Sequence, residues 1–395
     1  MTGAARRIGR VLLPALFILI AGFATRPLGP LAGTMLLVLT LPPLALSLDA
    51  LGWAGIAAAQ IRRAHLSMTG ELVAAYSGWL AISAILTLDV AAVVAVPVGL
   101  RVASTQDDQS SLDHLGAAIL GSNVGSLLFP FSNLTNLILV SATGISFGAY
   151  LGAAWLPQIL AALAVGLLLV FRTKRASEHQ APADEAVASA PLVEPSPRPT
   201  ALTLGAGVVA LAGAVSAVVV GLAGGDVAPV FAATAAIVAG CAVAADGHPI
   251  GTLELARSIP LSGVAVVLFA AIAVGLFGGP AGHLPHIPPD VPAIVGLPLI
   301  ALVGGLLAVT VNNLPAAAFG AIWLVGASPA AVVAYLIGTN LFAIATPHGS
   351  LATILSRQLG LRGGVDLGIR DYVRAAWRYA FVASAMGLIG LIVVR

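Results

Sequence analysis

Gly121-Ser-Asn-Val-Gly-Ser-Leu-Leu-Phe-Pro130-Phe-Ser-Asn-Leu-Thr-Asn-Leu137 breaks an apolar segment with a Gly-Ser-Asn triplet and a proline. Gly338-Thr-Asn-Leu-Phe-Ala-Ile-Ala-Thr-Pro347-His-Gly-Ser-Leu-Ala-Thr-Ile354 does the same in the other half of the chain. The differences 338 − 121 and 347 − 130 are both 217, so the two stretches share one internal spacing. Proline removes a helical hydrogen bond and clashes with the preceding turn. In lipid the freed carbonyls must be satisfied by protein, water or a bound solute. Matched interruptions in the two halves of a membrane protein point to a transporter's solute site.

Composition supports a membrane setting. Of 395 residues, 59% are hydrophobic and 9% charged, against about 25% charged in a soluble domain. Mean hydropathy is +1.03. The period-2 alternation of an outer-membrane barrel is missing, which leaves an all-α polytopic protein. Cys241 is the sole cysteine, so no internal disulfide or cysteine-rich metal site is available. There is no Gly-x-x-x-x-Gly-Lys-[Ser/Thr], so the chain does not hydrolyse ATP itself. No cofactor and no metal centre are expected, and the class is not an enzyme.

Apolar runs place spans at about 10–25, 29–48, 116–142, 147–171, 201–222, 227–245, 260–278, 330–356 and 373–394. The first follows Arg6, Arg7 and Arg10 and reads as a retained helix. Two longer regions, about 71–103 and 292–326, are interrupted by Leu86-Thr-Leu-Asp89 and by Thr310-Val-Asn-Asn-Leu-Pro315. They read as re-entrant hairpins with polar tips at membrane depth. With the N-terminus cytoplasmic, the inner segments collect Arg62, Arg63, Arg101, Arg172, Lys174, Arg175, Arg357, Arg362 and Arg370. That orientation makes the hairpins open to opposite sides. The expected architecture is two inverted repeats, 1–171 and 201–395, with about nine or ten transmembrane helices, two opposed hairpins and two broken helices (about 116–142 and 330–356). Residues 172–200, rich in Ala, Pro, Glu and Ser, read as a flexible cytoplasmic linker. Trp53 to His65 reads as an interfacial amphipathic helix.

The candidate solute and ion residues follow from this layout. Asp89 is the only acid between Glu71 and Asp107. A lone intramembrane carboxylate is costly and by default functional. It either caps the second arm of the hairpin or carries a coupling proton or cation, and one residue can do both. Thr87 shares its tip. Asn312 and Asn313 hold the matching tip, where neutral amides coordinate a cation or hydrogen-bond an oxyanion. Asn123 and Asn340 occupy the two Gly-Ser/Thr-Asn triplets. Ser132, Asn133, Thr135 and Asn136 follow Pro130, and Thr346, His348, Ser350 and Thr353 flank Pro347. These groups either rescue backbone freed by the prolines or line a cavity at a helix N-terminus. His348 reads equally as a proton carrier or as a hydrogen-bonded structural group. A Pro-rich loop explains His283 and His286 better than a metal site does.

Leu88-Asp-Val-Ala-Ala-Val-Val-Ala-Val-Pro97, Ser132-Asn-Leu-Thr-Asn136, Asn312-Asn-Leu-Pro315 and Thr346-Pro-His-Gly-Ser-Leu-Ala-Thr353 together resemble the ion transporter superfamily over about residues 30–395. The nearest resemblance is to its arsenite efflux permease (ArsB) branch. That branch includes sodium/proton antiporters and borders the citrate and dicarboxylate permeases. The resemblance implies inverted repeats whose hairpins and broken helices meet at a central site. Two departures stand out. Three spans precede the second hairpin and two the first. The Ser-Asn-Thr tips of the sodium-coupled dicarboxylate carriers are replaced by Thr87-Leu-Asp89 and Asn312-Asn-Leu. The resemblance implies proton-coupled efflux of arsenite or antimonite, with Asp89 carrying the proton. A cation/proton antiporter or a citrate or dicarboxylate permease is the alternative, and a passive channel or scaffold the third reading. Expected partners are membrane lipid, a small anion or neutral oxyacid, and a coupling proton or sodium. A second copy of the chain and a separate ATPase subunit stay open, and nucleic acid is excluded. The expected location is the inner or plasma membrane.

Overall fold

The structure, a computed structural model, describes residues 26–103, 108–179, 200–245, 252–259, 261–277 and 292–395. After a 3-10 turn at Arg26–Leu31 come α1 (Ala32–Ala50), α2 (Trp53–Arg63), α3 (Met68–Ile85), α4 (Leu88–Ala103), α5 (Asp108–Gly125), α6 (Leu134–Thr143) and α7 (Phe147–His179). The second half holds α8 (Ala201–Leu222), α9 (Ala228–Ala244), α10 (Thr252–Arg257), α11 (Leu261–Phe277), α12 (Ala293–Val311), α13 (Asn313–Trp323), α14 (Pro329–Leu336), α15 (Leu351–Arg362) and α16 (Ile369–Val394). Among the described residues there is no strand. Helices α1, α7, α8, α12 and α16 are long and apolar enough to cross a membrane.

Burial is distributed as a lipid solvent requires. On α8 the exposed residues include Leu204, Val208, Leu211, Val215 and Val219, while Ala206, Ala210, Ala214 and Ala217 are buried. The large aliphatic side chains face mainly outward, and the residues that face the protein are small. This inverts the soluble pattern, because lipid is as apolar as leucine and close backbone approach drives association instead.

Both interrupted regions turn back within the fold. Arms α3 and α4 are separated by Leu86 and Thr87, and α12 and α13 by Asn312 alone. The second hairpin is asymmetric, with arms of 19 and 11 residues, and the first begins at Met68, three residues before its expected start. Asn312 has φ 97°, outside the usual range of an L-residue. Its side chain caps α13 by accepting from Leu314 N at 3.0 Å.

The ends of the helices fix their directions. Arg62 donates to the Arg101 carbonyl at 3.0 Å, Gly363 packs on Leu100, and Arg172 reaches the Ala375 carbonyl at 3.5 Å. These contacts define an arginine-bearing end. Helix α5 therefore runs from that end to the centre, and α6 continues to the far end. Helix α14 enters from the far end, and α15 leaves toward the arginines. The mouths of the two hairpins accordingly lie at opposite ends.

Four sequence expectations meet this structure differently. Helix α7 continues through His179, so 172–179, assigned to the linker, is helical. Thr173 Oγ1 bonds back to the Leu169 carbonyl at 3.1 Å. The rest of the linker to 199, the span at 10–25, and His283 and His286 lie outside the described residues. The missing span before the first hairpin has a partial substitute: the amphipathic α2 packs beside α4 as the longer α11 packs beside α13. The 330–356 break is not a simple kink. Helix α14 widens into a π-turn at Ile337–Leu341 and then tightens to a 3-10 turn at Phe342–Ala345.

Glycine carries the same contact in both halves. A Cβ on Gly121 would lie 2.6 Å from the Tyr76 carbonyl and 3.3 Å from Leu80 N; one on Gly338 would strike the Ala301 carbonyl and lie 2.6 Å from Gly305 N. The partners are themselves matched, since 301 − 76 and 305 − 80 are both 225. Gly121→Val and Gly338→Val are each expected to destabilise the protein by about 1–3 kcal/mol, the range for overpacking. Gly205→Ala, where nothing lies within 4 Å of the new carbon, leaves thermal unfolding in detergent unchanged. Equal melting temperatures for all three would refute the close-approach assignment.

Candidate solute and ion site at the crossing of two helix breaks

Each broken helix restarts through a side-chain cap. Asn133 (φ −149°, ψ 142°) accepts from Thr135 N at 3.2 Å to open α6. Ser350 (φ −131°, ψ 150°) accepts from Thr353 N at 3.1 Å to open α15. The spacing of 217 carries Asn133 onto Ser350 and Leu134 onto Leu351. These caps occupy backbone N–H groups that an oxyanion would otherwise meet at the two helix N-termini.

Asparagines then tie the breaks to each other. Asn340 Nδ2 donates to Asn136 Oδ1 at 2.7 Å, and its Oδ1 accepts from Thr135 Oγ1 at 2.7 Å. The repeat-related contacts run the other way. Asn123 Oδ1 accepts from Ser350 Oγ at 2.8 Å, and its Nδ2 reaches Thr353 Oγ1 at 3.4 Å. Thr135, Asn136, Asn340, Asn123, Ser350 and Thr353 are at most 1% exposed. The junction is a reciprocal clasp of amides and hydroxyls, and none of these six side chains is ionisable.

The carbonyls freed by Pro130 are satisfied from within. Asn136 Nδ2 donates to Ser126 O at 2.7 Å and Phe129 O at 3.1 Å. Tyr150 Oη donates to Leu127 O at 2.7 Å, and Tyr372 Oη to Ile344 O at 2.8 Å. Leu127 and Ile344 are again 217 apart. Each break also rests on its own hairpin tip. Ser132 Oγ donates to Ala84 O at 2.6 Å, while Asn313 N donates to Gly349 O at 2.8 Å and Asn312 Nδ2 to His348 O at 2.6 Å.

The fourteen residues singled out from sequence therefore divide. Asn123, Thr135, Asn136, Asn340, Ser350 and Thr353 meet in the clasp. Ser132, Asn133, Asn312 and Asn313 brace it. Thr87 caps α4, with its Oγ1 accepting from Val90 N at 3.3 Å. Leu88 and Ala92 pack on Ala352, beside the clasp, which sets the depth of the Asp89 backbone between them; the Asp89 side chain lies outside the described residues. His348 is exposed, and its Nε2 bonds the Val309 carbonyl at 2.9 Å. Thr346 stays out of the clasp, and its Oγ1 is buried without a partner, as is Asn313 Oδ1. No group of three or more His, Cys, Asp or Glu among the described residues is placed to hold a metal.

Four supporting residues escaped the sequence reading: Ser126, Gln158, Tyr150 and Tyr372. Gln158 Oε1 accepts from Leu127 N at 3.1 Å inside the first break. The signal for Gln158 was its position beside Pro157 in the apolar α7. The signal for the tyrosines was one near the start of each final helix. Interhelical hydrogen bonds in membranes average about 0.6 kcal/mol and reach about 1.7. A double-mutant cycle of Thr135→Val and Asn340→Ala should give a coupling energy in that range by unfolding in detergent. Additivity within error would show that the clasp bond contributes nothing.

No protein-family model matches the chain, and no curated protein matches it in sequence. Its structure is similar to that of the YdaH transporter of Alcanivorax borkumensis, described as having an unusual topology. The similarity has a TM-score of 0.53 at 14% identity and covers 97% of this chain and 98% of that one. Sharing at this level is a matter of fold: the chain is an all-α polytopic membrane protein built on that transporter's architecture.

Proposed function

We propose that the chain is a secondary active transporter that exports a small uncharged polyhydroxyl solute, arsenite or antimonite, in exchange for protons. The observation that carries the reading is the clasp. Its members belong to different halves, so a solute bound there touches both and is affected by their relative position. Each clasp bond joins one donor to one acceptor, and a hydroxyl supplies both. A solute with several hydroxyls replaces such bonds nearly one for one, so entry leaves few buried polar groups unpaired. Arsenite is such a solute at neutral pH. A thiol is not required: Cys241 is half-buried on α9, a helix that contributes no residue to the clasp. Asp89 carries the proton in this reading, at the tip of the first hairpin.

Arsenite accumulation in everted vesicles, driven by an imposed pH gradient, tests this directly. Accumulation is expected in the parent protein and its loss in Asp89→Asn at equal expression. Full activity of Asp89→Asn would remove the proton role. No accumulation with the protein present would remove the substrate.

One observation favours a second reading, sodium coupling. Asn313 Oδ1 and Thr346 Oγ1 are two buried oxygens without partners, and unpaired buried acceptors suit a hard cation. Under this reading sodium stimulates flux, and Asn313→Ala lowers the apparent sodium affinity while leaving pH dependence intact. Sodium-independent flux would exclude it.

A further inference from the structure

The two halves match in their backbone contacts, and their repeat-related surfaces differ in how tightly they pack. A cavity of about 740 Å³ opens at the arginine-bearing end between α3, α5, α7 and α16. Gly116, Leu120, Leu169, Ile344, Tyr372 and Ala376 line it, and Asp113, Arg172, Asp366 and Asp371 stand at its rim. Arg374 lies 3.4 Å from Asp371, so the rim carries both signs. Its floor reaches the clasp, for Ile119 also lines it and the Ile119 carbonyl accepts from Asn123 Nδ2 at 2.8 Å.

The repeat-related surface at the far end is more closely packed. The 217-residue spacing carries Gly116, half-buried, and Leu120, 6% exposed, onto Val333 and Ile337, both 0% exposed, while Ile344 and its mate Leu127 are equally buried. The final helices match at a spacing of 222, from Tyr150 to Tyr372, which carries Ala376 onto Ala154, also 0% exposed. At the far end α16 lies directly on α7: a Cβ on Gly390 would stand 2.7 Å from Pro157 N. At the arginine end the same two helices both line the cavity. There they are linked by Arg172, which reaches the Ala375 carbonyl at 3.5 Å and lies 5.5 Å over the Tyr379 ring.

We infer that this cavity is the solute's vestibule on the arginine-bearing face. In the alternate state it closes, and its repeat mate opens on the opposite face around Val333, Ile337 and Ala154. The physical basis is that two halves with the same backbone contacts can exchange arrangements at small cost, while a packed surface has discrete rather than graded states. The separation point is the Gly390–Pro157 contact. This inference rests on the transporter reading and adds to it the residues of both openings.

The test uses single cysteines in a Cys241→Ser background: Gly116→Cys and Leu120→Cys on the open side, Val333→Cys and Ile337→Cys on the closed side. A Cβ at Gly116 meets nothing within 4 Å, so that thiol is accommodated. Vesicles of both orientations are treated with a membrane-impermeant thiosulfonate. The first pair should react from the arginine-bearing face and the second from the opposite face, more slowly. Adding Gly390→Ala, which wedges the far contact, should raise the rate for Val333→Cys and lower that for Gly116→Cys, each by roughly threefold or more. Gly387→Ala, whose Cβ would meet Leu341 at 3.3 Å, presses α16 against the π-turn instead of α7 and serves as a milder wedge at that end should the first fail to fold. Reaction of all four thiols from one face, no reaction at Gly116→Cys, or parallel changes on both sides would overturn the inference. Labelling needs no solute, so loss of arsenite flux with intact reciprocal labelling refutes the substrate and leaves the paired openings standing.

Discussion

Water is absent from the bilayer core, so every backbone polar group there must find a partner in the protein. The rest of the structure depends on that constraint. Two helices are broken at its centre, and each break releases carbonyls into a region where an unpaired one costs several kcal/mol. The chain answers with amides and hydroxyls at fixed positions: Asn136 on Ser126 and Phe129, Tyr150 on Leu127, Tyr372 on Ile344, Gln158 on the Leu127 amide. Asn136 thus both belongs to the candidate site and makes the first break tolerable.

That double duty explains why the centre is neutral. A charged residue in the clasp would have needed its own counter-ion or a shifted protonation state, whereas Asn, Ser and Thr each offer donors and acceptors without net charge. It also explains why the two halves cross-brace. Asn340 finishes the hydrogen bonding of a helix start built by residues 133–136, and Asn123 does the same for residues 350–353. Each half bonds its own freed carbonyls, while the side chains at each helix start are completed from the other half. The glycines at 121 and 338 let the hairpins approach closely enough for this geometry to hold.

Much of this architecture was legible in the sequence, because the signals are strong ones in lipid. A proline in an apolar run, a Gly-[Ser/Thr]-Asn triplet before it and a constant spacing of 217 place both breaks to within a few residues. Asn-Asn-Leu-Pro marked the second tip, since a positive φ suits Asn and Pro suits a first helical turn. Other features were not legible. Thr87 caps α4, and which residue of Thr87-Leu-Asp89 opens the helix is a choice of one or two positions that composition does not resolve. The reach of α7 through His179 depends on whether polar residues beyond the membrane keep a helix already started, and local propensity leaves that open. That His348 turns outward to the Val309 carbonyl while Ser350 turns inward follows from the tight turn between them. Which side of the molecule is open is a property of packing, and no residue pattern encodes it.

The clasp also sets a timetable for synthesis. Asn136 and its partner Asn340 are 204 positions apart, and ribosomes add about 5–20 residues each second. The first half therefore waits on the order of 10–40 s in the bilayer before the residue that completes its helix start has been made. During that interval the Asn136 carboxamide oxygen lacks its final partner. A nascent first half is thus an incompletely bonded species, and its survival depends on lipid, water or insertion machinery supplying a temporary donor until the second half arrives.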